Sequence, residues 1–128
     1  MRLLLDTHAL LWFTLGDPQL SPLALALIND AGNDKLISPA SYWEIAIKVS
    51  IGKLALNQPY EDFMDRGIRQ NGFDILPIEP RHTGRVAALP FHHKDPFDRL
   101  LIAQALTDAI PLVGADALFE QYGVTRLW

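Results

Sequence analysis

Short apolar runs alternate with longer stretches of helical period along this chain. Leu3-Leu4-Leu5 is uniformly apolar and stops at Asp6, which predicts a short buried strand. Thr7 to Leu15 has helical length and closes on Gly16-Asp17-Pro18. Ser21-Pro22 opens a second helix, with Ser as N-cap and Pro in the first turn, running through Leu27 and Ile28 toward Gly32. Leu36-Ile37 predicts a second strand, and Ser38-Pro39 opens a helix that Gly52 stops just after Ile51. Tyr60 to Gln70 is amphipathic, with Phe63, Met64 and Ile68 on one side; Asn71-Gly72 ends it and Phe73–Ile78 predicts a third strand. A short helix over Arg81–Leu89 and a loop over Pro90–Lys94 follow. Asp95-Pro96 then opens a helix that is apolar on most sides through Leu106, the mark of a buried helix. Leu112-Val113, a helical turn over Ala117–Tyr122 and a last strand over Val124-Thr125-Arg126 complete the pattern. Strands alternating with helices predict a parallel sheet covered on both faces.

At 128 residues the chain is expected to be one domain, and 49% hydrophobic residues suffice for its core. No apolar stretch approaches the roughly 20 residues of a membrane span. Arg2 followed by three leucines has the look of a signal peptide, but Asp6 and His8 interrupt it too early. Cysteine is absent, so disulfides and thiolate metal sites are excluded and a cytoplasmic location is the expectation. The formal net charge of −4 argues against a broad basic surface for nucleic acid.

Acidity concentrates where chemistry is expected. Asp6 ends the first strand, Asp116 closely follows Leu112-Val113, and Glu44 and Asp98 each lie near the start of a helix. The carboxyl ends of parallel strands share one edge, where ligands bind. Carboxylates crowded there repel one another and call for a counter-charge, for which Mg²⁺ or Mn²⁺ suits an all-oxygen site. Such a site serves metal-assisted hydrolysis of a phosphodiester. Each acid also has a purely structural reading. Asp6 and Asp116 are placed to cap helices, Ser41-Tyr42-Trp43-Glu44 fits a capping box, and Glu44 can pair with Lys48. In Asp95-Pro96-Phe97-Asp98 we read Asp95 as the N-cap and Asp98 as the ligand. What favours a functional reading is the shared edge, since caps alone have no reason to gather there.

Other polar groups read more blandly. His92 and His93 are adjacent and are expected to diverge in a polar loop; contact of these histidines, Lys94 and Arg99 with a substrate phosphate is the functional alternative. Trp12, Phe13, Trp43 and Phe97 read as core, and Trp128 as an anchor for the last strand. There is no phosphate-binding Gly-rich loop and no Gly-x-Ser-x-Gly elbow. Asp6-Thr7-His8 also lacks the second aspartate, two residues on, of an aspartyl-phosphate phosphatase.

Several stretches carry a resemblance. Leu4-Leu5-Asp6-Thr7-His8, Ser38-Pro39-Ala40-Ser41-Tyr42-Trp43-Glu44-Ile45-Ala46, and above all Leu89 to Ala105 with its core Asp95-Pro96-Phe97-Asp98-Arg99-Leu100-Leu101-Ile102-Ala103-Gln104-Ala105, resemble the PIN-domain nucleases. Within that family the likeness is to the toxin subunits of VapBC-type toxin–antitoxin systems, and Tyr122-Gly123-Val124 and Leu127-Trp128 extend it to the end. The resemblance implies an α/β fold, a three-layer α/β/α sandwich with a central parallel sheet over residues 1–128. It also implies a Mg²⁺- or Mn²⁺-dependent endoribonuclease with Asp6, Glu44, Asp98 and Asp116 as metal-binding catalytic acids. The cation would acidify a water and polarise the scissile phosphate, with Asp6 and Asp98 as principal ligands, Glu44 orienting the water and Asp116 completing a second site. The implied partners are RNA, a cognate antitoxin and a second copy of the chain. Leu10, Leu11, Leu23 and Leu27 of the first two helices offer more apolar side chains than one small core needs and suggest the dimer surface, the alternative being that all four face the sheet. The chain departs from the family at Gly114, where Thr or Ser is usual two residues before the last acid. A non-catalytic interaction domain with a vestigial site, and a structure-specific DNA nuclease, are the alternatives.

Overall fold

The leucines that open the chain point alternately to the two faces of one sheet. The computed structural model describes all 128 residues, Met1–Trp128. Its strands are β1 (Arg2–Leu5), β2 (Asp34–Ile37), β3 (Asp74–Ile75), β4 (Leu112–Val113) and β5 (Arg126–Leu127). They pair in parallel throughout, in the order β3-β2-β1-β4-β5. Side chains in a strand alternate between faces. Leu3 and Leu5 of β1, Ile37 of β2 and Val113 of β4 therefore join one core with α1 (Thr7–Leu15), α2 (Pro22–Asn29) and α4 (Tyr60–Met64). Leu4, Leu36 and Leu112 face the other way, against α5 (Pro80–Ala88) and α6 (Pro96–Asp108). Helix α3 (Pro39–Ser50) reaches both cores, with Ile45 in the first and Ala40 in the second. The result is the expected three-layer α/β/α arrangement around a central parallel sheet, and no helix is long and apolar enough to cross a membrane.

Helix starts follow the chemistry read from the chain. Ser21 accepts from the Ala24 N–H, Ser38 from the Ala40 N–H, and Asp95 from the N–H groups of Phe97 and Asp98. Proline occupies the first turn in each case. These caps hold three helix N-termini in place, that of α3 directly after β2. Buried Leu101, Ile102, Ala103 and Ala105 make α6 the spine of the second core.

Several expected elements differ in extent. The third strand is Asp74–Ile75 rather than Phe73–Ile78, because Leu76 turns into the core and Pro77 has no N–H for the ladder. The last strand is Arg126–Leu127, since Gly123, at φ 81°, and buried Val124 still belong to the turn before it. The amphipathic stretch Tyr60–Gln70 is α4 followed by a π-helical turn, Asp65–Arg69. There Gly67 passes so close to α1 that a Cβ would stand 3.0 Å from Thr14 Cγ2. The widened turn is held by the Asn71 amide, which donates to the Arg66 and Gly67 carbonyls.

Side-chain placement corrects two expectations. Leu10 and Leu11 are core residues, so of the apolar set proposed for a dimer surface Leu23 stands out in solvent with Leu27 half-buried. Trp43 is not core: it is 61% exposed and packs edge-on against Phe97 at 5.4 Å.

Candidate active site

The site lies where β1, β2 and β4 end, and each acid arrives on a different segment. Asp6 follows β1 directly and its N–H continues the ladder to the Val113 carbonyl at 3.0 Å. Its side chain caps α1, with Oδ1 accepting from the Ala9 N–H at 2.7 Å. The carboxyl is almost wholly buried, at 4% exposure. Glu44 projects from the second turn of α3 and is also buried; its Oε2 pairs with Lys48 Nζ at 2.9 Å, one helical turn on. The capping box read from Ser41 to Glu44 does not form. Ser38 is the cap, and Ser41, inside the helix, accepts from Thr7 Oγ1 at 3.1 Å. That buried bond ties the start of α3 to the start of α1, and so the base of Glu44 to the base of Asp6.

The other half of the site is built around His93. Asp98, in the first turn of α6, places Oδ2 3.1 Å from His93 Nε2. Asp116 caps the short 3-10 turn Ala117–Tyr122 through Leu118 N–H and places its own Oδ2 2.9 Å from the same nitrogen. Asp95 is turned to capping, with Oδ1 accepting from Phe97 N–H at 2.8 Å and Asp98 N–H at 3.1 Å. The adjacent histidines do diverge: His92 packs on the Tyr122 ring at 5.1 Å, while His93 turns inward. His93 therefore belongs to the acid cluster, not to a bland loop.

Arg99 is buried and satisfies its guanidinium on the chain itself. Nη1 donates to the Pro90 carbonyl at 2.9 Å and the His93 carbonyl at 3.4 Å; Nη2 donates to those of Val86 and Leu89, each at 3.3 Å. Phe91 covers its outer face at 4.1 Å. An arginine so occupied holds the 89–94 loop and is not free to meet a phosphate, which removes it from the phosphate-contact set.

Gly114 explains its own departure from the usual Thr or Ser. A Cβ there would lie 2.7 Å from Asp6 Oδ2 and 2.8 Å from Phe119 Cε2. In this chain the Asp6 carboxylate and the Phe119 ring occupy the space a side chain would need. Nothing in the local sequence announces this, because Asp6, Gly114 and Phe119 meet only when β1 and β4 pair.

Burial dominates the electrostatics. It pushes the Asp6 carboxyl up to about 7; the Ala9 N–H opposes this, and the charges of Asp98, Glu44 and Asp116 reinforce it. Asp98 is likewise raised to about 7, by burial first and then by Asp95; His93 opposes, and Glu44 and Asp116 add to the rise. Buried acids raised in this way hold protons that a cation would displace. Glu44 Oε1 is buried with no hydrogen-bond partner, a cost that a fold rarely carries without a ligand to offset it. Ligand atoms of His93, Asp98 and Asp116 lie within 4.8 Å of one another, and Asp6 and Glu44, whose charges act on Asp98, add further carboxylate oxygens, one of them orphaned; this oxygen-rich set fits a hard divalent cation of the Mg²⁺ or Mn²⁺ type.

Comparison with known proteins agrees with this architecture. The PIN-domain family model matches residues 3–124. The chain is 36% identical over 58 residues to Ribonuclease VapC16 of Mycobacterium tuberculosis, an alignment covering 45% of this chain and 41% of that relative's length. In fold it resembles VapBC2 from Rickettsia felis bound to a DNA fragment from their promoter, with TM-score 0.72 and 15% identity over 99% of this chain and 98% of the other. It also resembles VapBC-1 from nontypeable Haemophilus influenzae, with TM-score 0.68 and 16% identity over 99% and 97%. Matched over almost its whole length, the chain belongs to the PIN-domain family.

Proposed function

We propose that this protein is a divalent-cation-dependent endoribonuclease and the toxin of a toxin–antitoxin pair, active in the cytoplasm as a homodimer. The observation that carries the chemistry is the buried acid cluster: two carboxyls raised to about 7 and a third with an unpartnered oxygen, all at the carboxyl edge of a parallel sheet. The choice of RNA as substrate, and of an antitoxin as partner, rests on the relatives' names, VapC16 being a ribonuclease and the structural neighbours VapBC assemblies.

Asp6 and Asp98 are the principal ligands in this reading, with Glu44 beside them and Asp116 on the outer rim. When bound, the divalent cation supplies charge stabilisation at the scissile phosphate and a water of lowered pKa. The chain's own groups set the geometry. The Ala9 N–H fixes one oxygen of Asp6, and Lys48 holds one oxygen of Glu44 while the other is buried without a partner. In this reading that free oxygen orients the attacking water and takes its proton. No side chain forms a covalent bond to the substrate.

Trp43, Thr83, Val86, Pro96, Phe97 and Leu100 line an apolar cavity of about 280 Å³. Two of its residues, Trp43 and Phe97, adjoin Glu44 and Asp98 in the chain. An antitoxin that inserts apolar side chains there and extends an Arg or Lys to the carboxylates would neutralise the site in place of the cation.

The test is cleavage of RNA by the purified chain with Mn²⁺, with EDTA, and in Asp6→Asn and Asp98→Asn. Both variants are expected to lose activity by about a hundredfold or more, exceeding the 10–100-fold typical of disturbing an outer partner of a metal ligand. Both should fold, because Asn also caps a helix and the change removes like-charge repulsion. Full activity in either variant, or cleavage undiminished in EDTA, would overturn the reading.

A further inference from the structure

The two halves of the acid cluster are balanced differently. Between Asp98 and Asp116 stands a hydrogen-bond donor, His93 Nε2, 3.1 Å from one carboxylate oxygen and 2.9 Å from the other. Around Asp6 and Glu44 no donor from the chain fills the same role, since Asp6 bonds only the Ala9 N–H through its side chain and Glu44 Oε1 bonds nothing.

The tautomer of His93 follows from its other nitrogen. Nδ1 accepts from the Asp95 N–H at 3.1 Å. A nitrogen that accepts carries no hydrogen, so the ring hydrogen sits on Nε2 and points at the two carboxylates. A histidine that ligates a metal shows the reverse pattern, donating from the nitrogen that does not bind the ion. To ligate through Nε2, His93 would have to move its hydrogen to Nδ1, where it would confront the Asp95 N–H.

The placement is enforced from every side. The His93 N–H donates to Tyr122 Oη at 2.7 Å, and its carbonyl accepts from buried Arg99. The ring lies nearly parallel to Phe119, 18° apart with centroids at 6.2 Å. A surface histidine resting on two acids by chance would not be clamped through its backbone, its ring face and both ring nitrogens.

We infer that His93 is a positioning residue whose Nε2–H takes the place of a second cation between Asp98 and Asp116, so that the site loads a single divalent ion. This rests on the metal-dependent reading above and deepens it. The N–H stands about 3 Å from both oxygens that a second ion would have to draw in, and loading that ion would forfeit its hydrogen bond to Asp116. Forfeiting a hydrogen bond to a carboxylate corresponds to at least about a tenfold penalty on affinity.

The experiment is a Mn²⁺ titration of the intact chain, counting bound ions from the paramagnetic resonance signal of free Mn²⁺, with folding checked by circular dichroism. The wild type is expected to take up a single ion per chain. His93→Ala should bind a second ion, at least about tenfold more tightly than any weak second event in the wild type. His93→Asn, polar but too short to reach both oxygens, should behave alike and serves if the alanine variant fails to fold. His93→Ala combined with Asp116→Asn should return to a single ion. A wild type that binds a second ion as tightly as the first, or folded His93 variants that still bind only a single ion, would overturn the inference while leaving the nuclease reading intact. A wild type that binds no Mn²⁺ at all would overturn both.

Discussion

The Asp6–Glu44 half and the Asp98–Asp116 half of one acidic edge show two ways of holding carboxylates together. On the His93 side, Asp116 keeps 38% of its side chain in solvent and shares a fixed N–H with Asp98. On the Asp6 side the carboxyl is buried, raised to about 7, and next to a glutamate oxygen with no partner. The first arrangement supplies its own donor, although Asp98 within it is also raised to about 7. The second has no such donor between its acids, and therein lies its use: burial that is costly for an empty site becomes affinity once a cation enters. Structure and chemistry are thus divided within a few residues. Asp95 and Asp98 lie in one helical turn, yet Asp95 is spent on the cap and Asp98 faces the cluster.

The pH dependence of stability probes the two raised acids, one in each half, most strongly. Asp6 and Asp98 have their folded-state values raised from 3.8 to about 7. Between those limits the folded chain binds more protons than the unfolded one, so metal-free stability falls as pH rises from about 4 to about 7. For Asp6 alone this corresponds to about 4 kcal/mol. Urea unfolding in EDTA across that range should show the decline, Asp6→Asn should flatten it, and Mn²⁺ should offset it at pH 7. A metal-free stability that climbs steadily through this window would show that Asp6 is not held as described.

Arg99→Lys addresses the His93 half. Lysine cannot span the carbonyls of Val86, Leu89, Pro90 and His93, so several are left without donors. The expected loss is about 3 kcal/mol by thermal or chemical unfolding, with faster hydrogen exchange across residues 86–94. An unchanged exchange pattern would mean that the loop is held by something else.

Gly114→Ser restores a residue of the usual kind and is expected to harm the protein. Its Cβ must displace either the Asp6 carboxylate or the Phe119 ring, at about 1–3 kcal/mol of stability, and Mn²⁺ affinity should fall with it. Gain of stability and affinity together would show that the close approach of Gly114 to Asp6 is incidental.

The smallest effect is expected at Asp95→Ser. Serine caps about as well as aspartate, so stability should change by less than about 0.5 kcal/mol and cleavage should be largely kept, unlike in Asp98→Asn. Equal loss of cleavage at both positions would make Asp95 a catalytic acid.

Much of this architecture is legible in the sequence. The Leu3–Leu5 run, the Ser-Pro helix starts at Ser21 and Ser38 and the Asp-Pro start at Asp95 are local signals, and helices obey local rules of capping and period. Weak strands were harder. β3 and β5 have two residues each, and their ends are set by Pro77 and Gly123 together with the neighbours they pair with, not by their own pattern.

The sequence by itself determined the alternation of strands and helices, the gathering of Asp6, Glu44, Asp98 and Asp116 toward one sheet edge, and the likeness to PIN-domain nucleases. Only the tertiary structure decided which polar neighbours meet those acids. His93 and Asp116 are separated by 23 residues yet share a hydrogen bond. Gly114 meets Asp6 only because β1 and β4 are adjacent in the sheet. Arg99, which invites a reading as a phosphate contact, proves to be a buried clamp. The reason is physical: capping and amphipathic period depend on residues within a turn or two, whereas these contacts depend on strand order, register and the packing of α6 against the sheet.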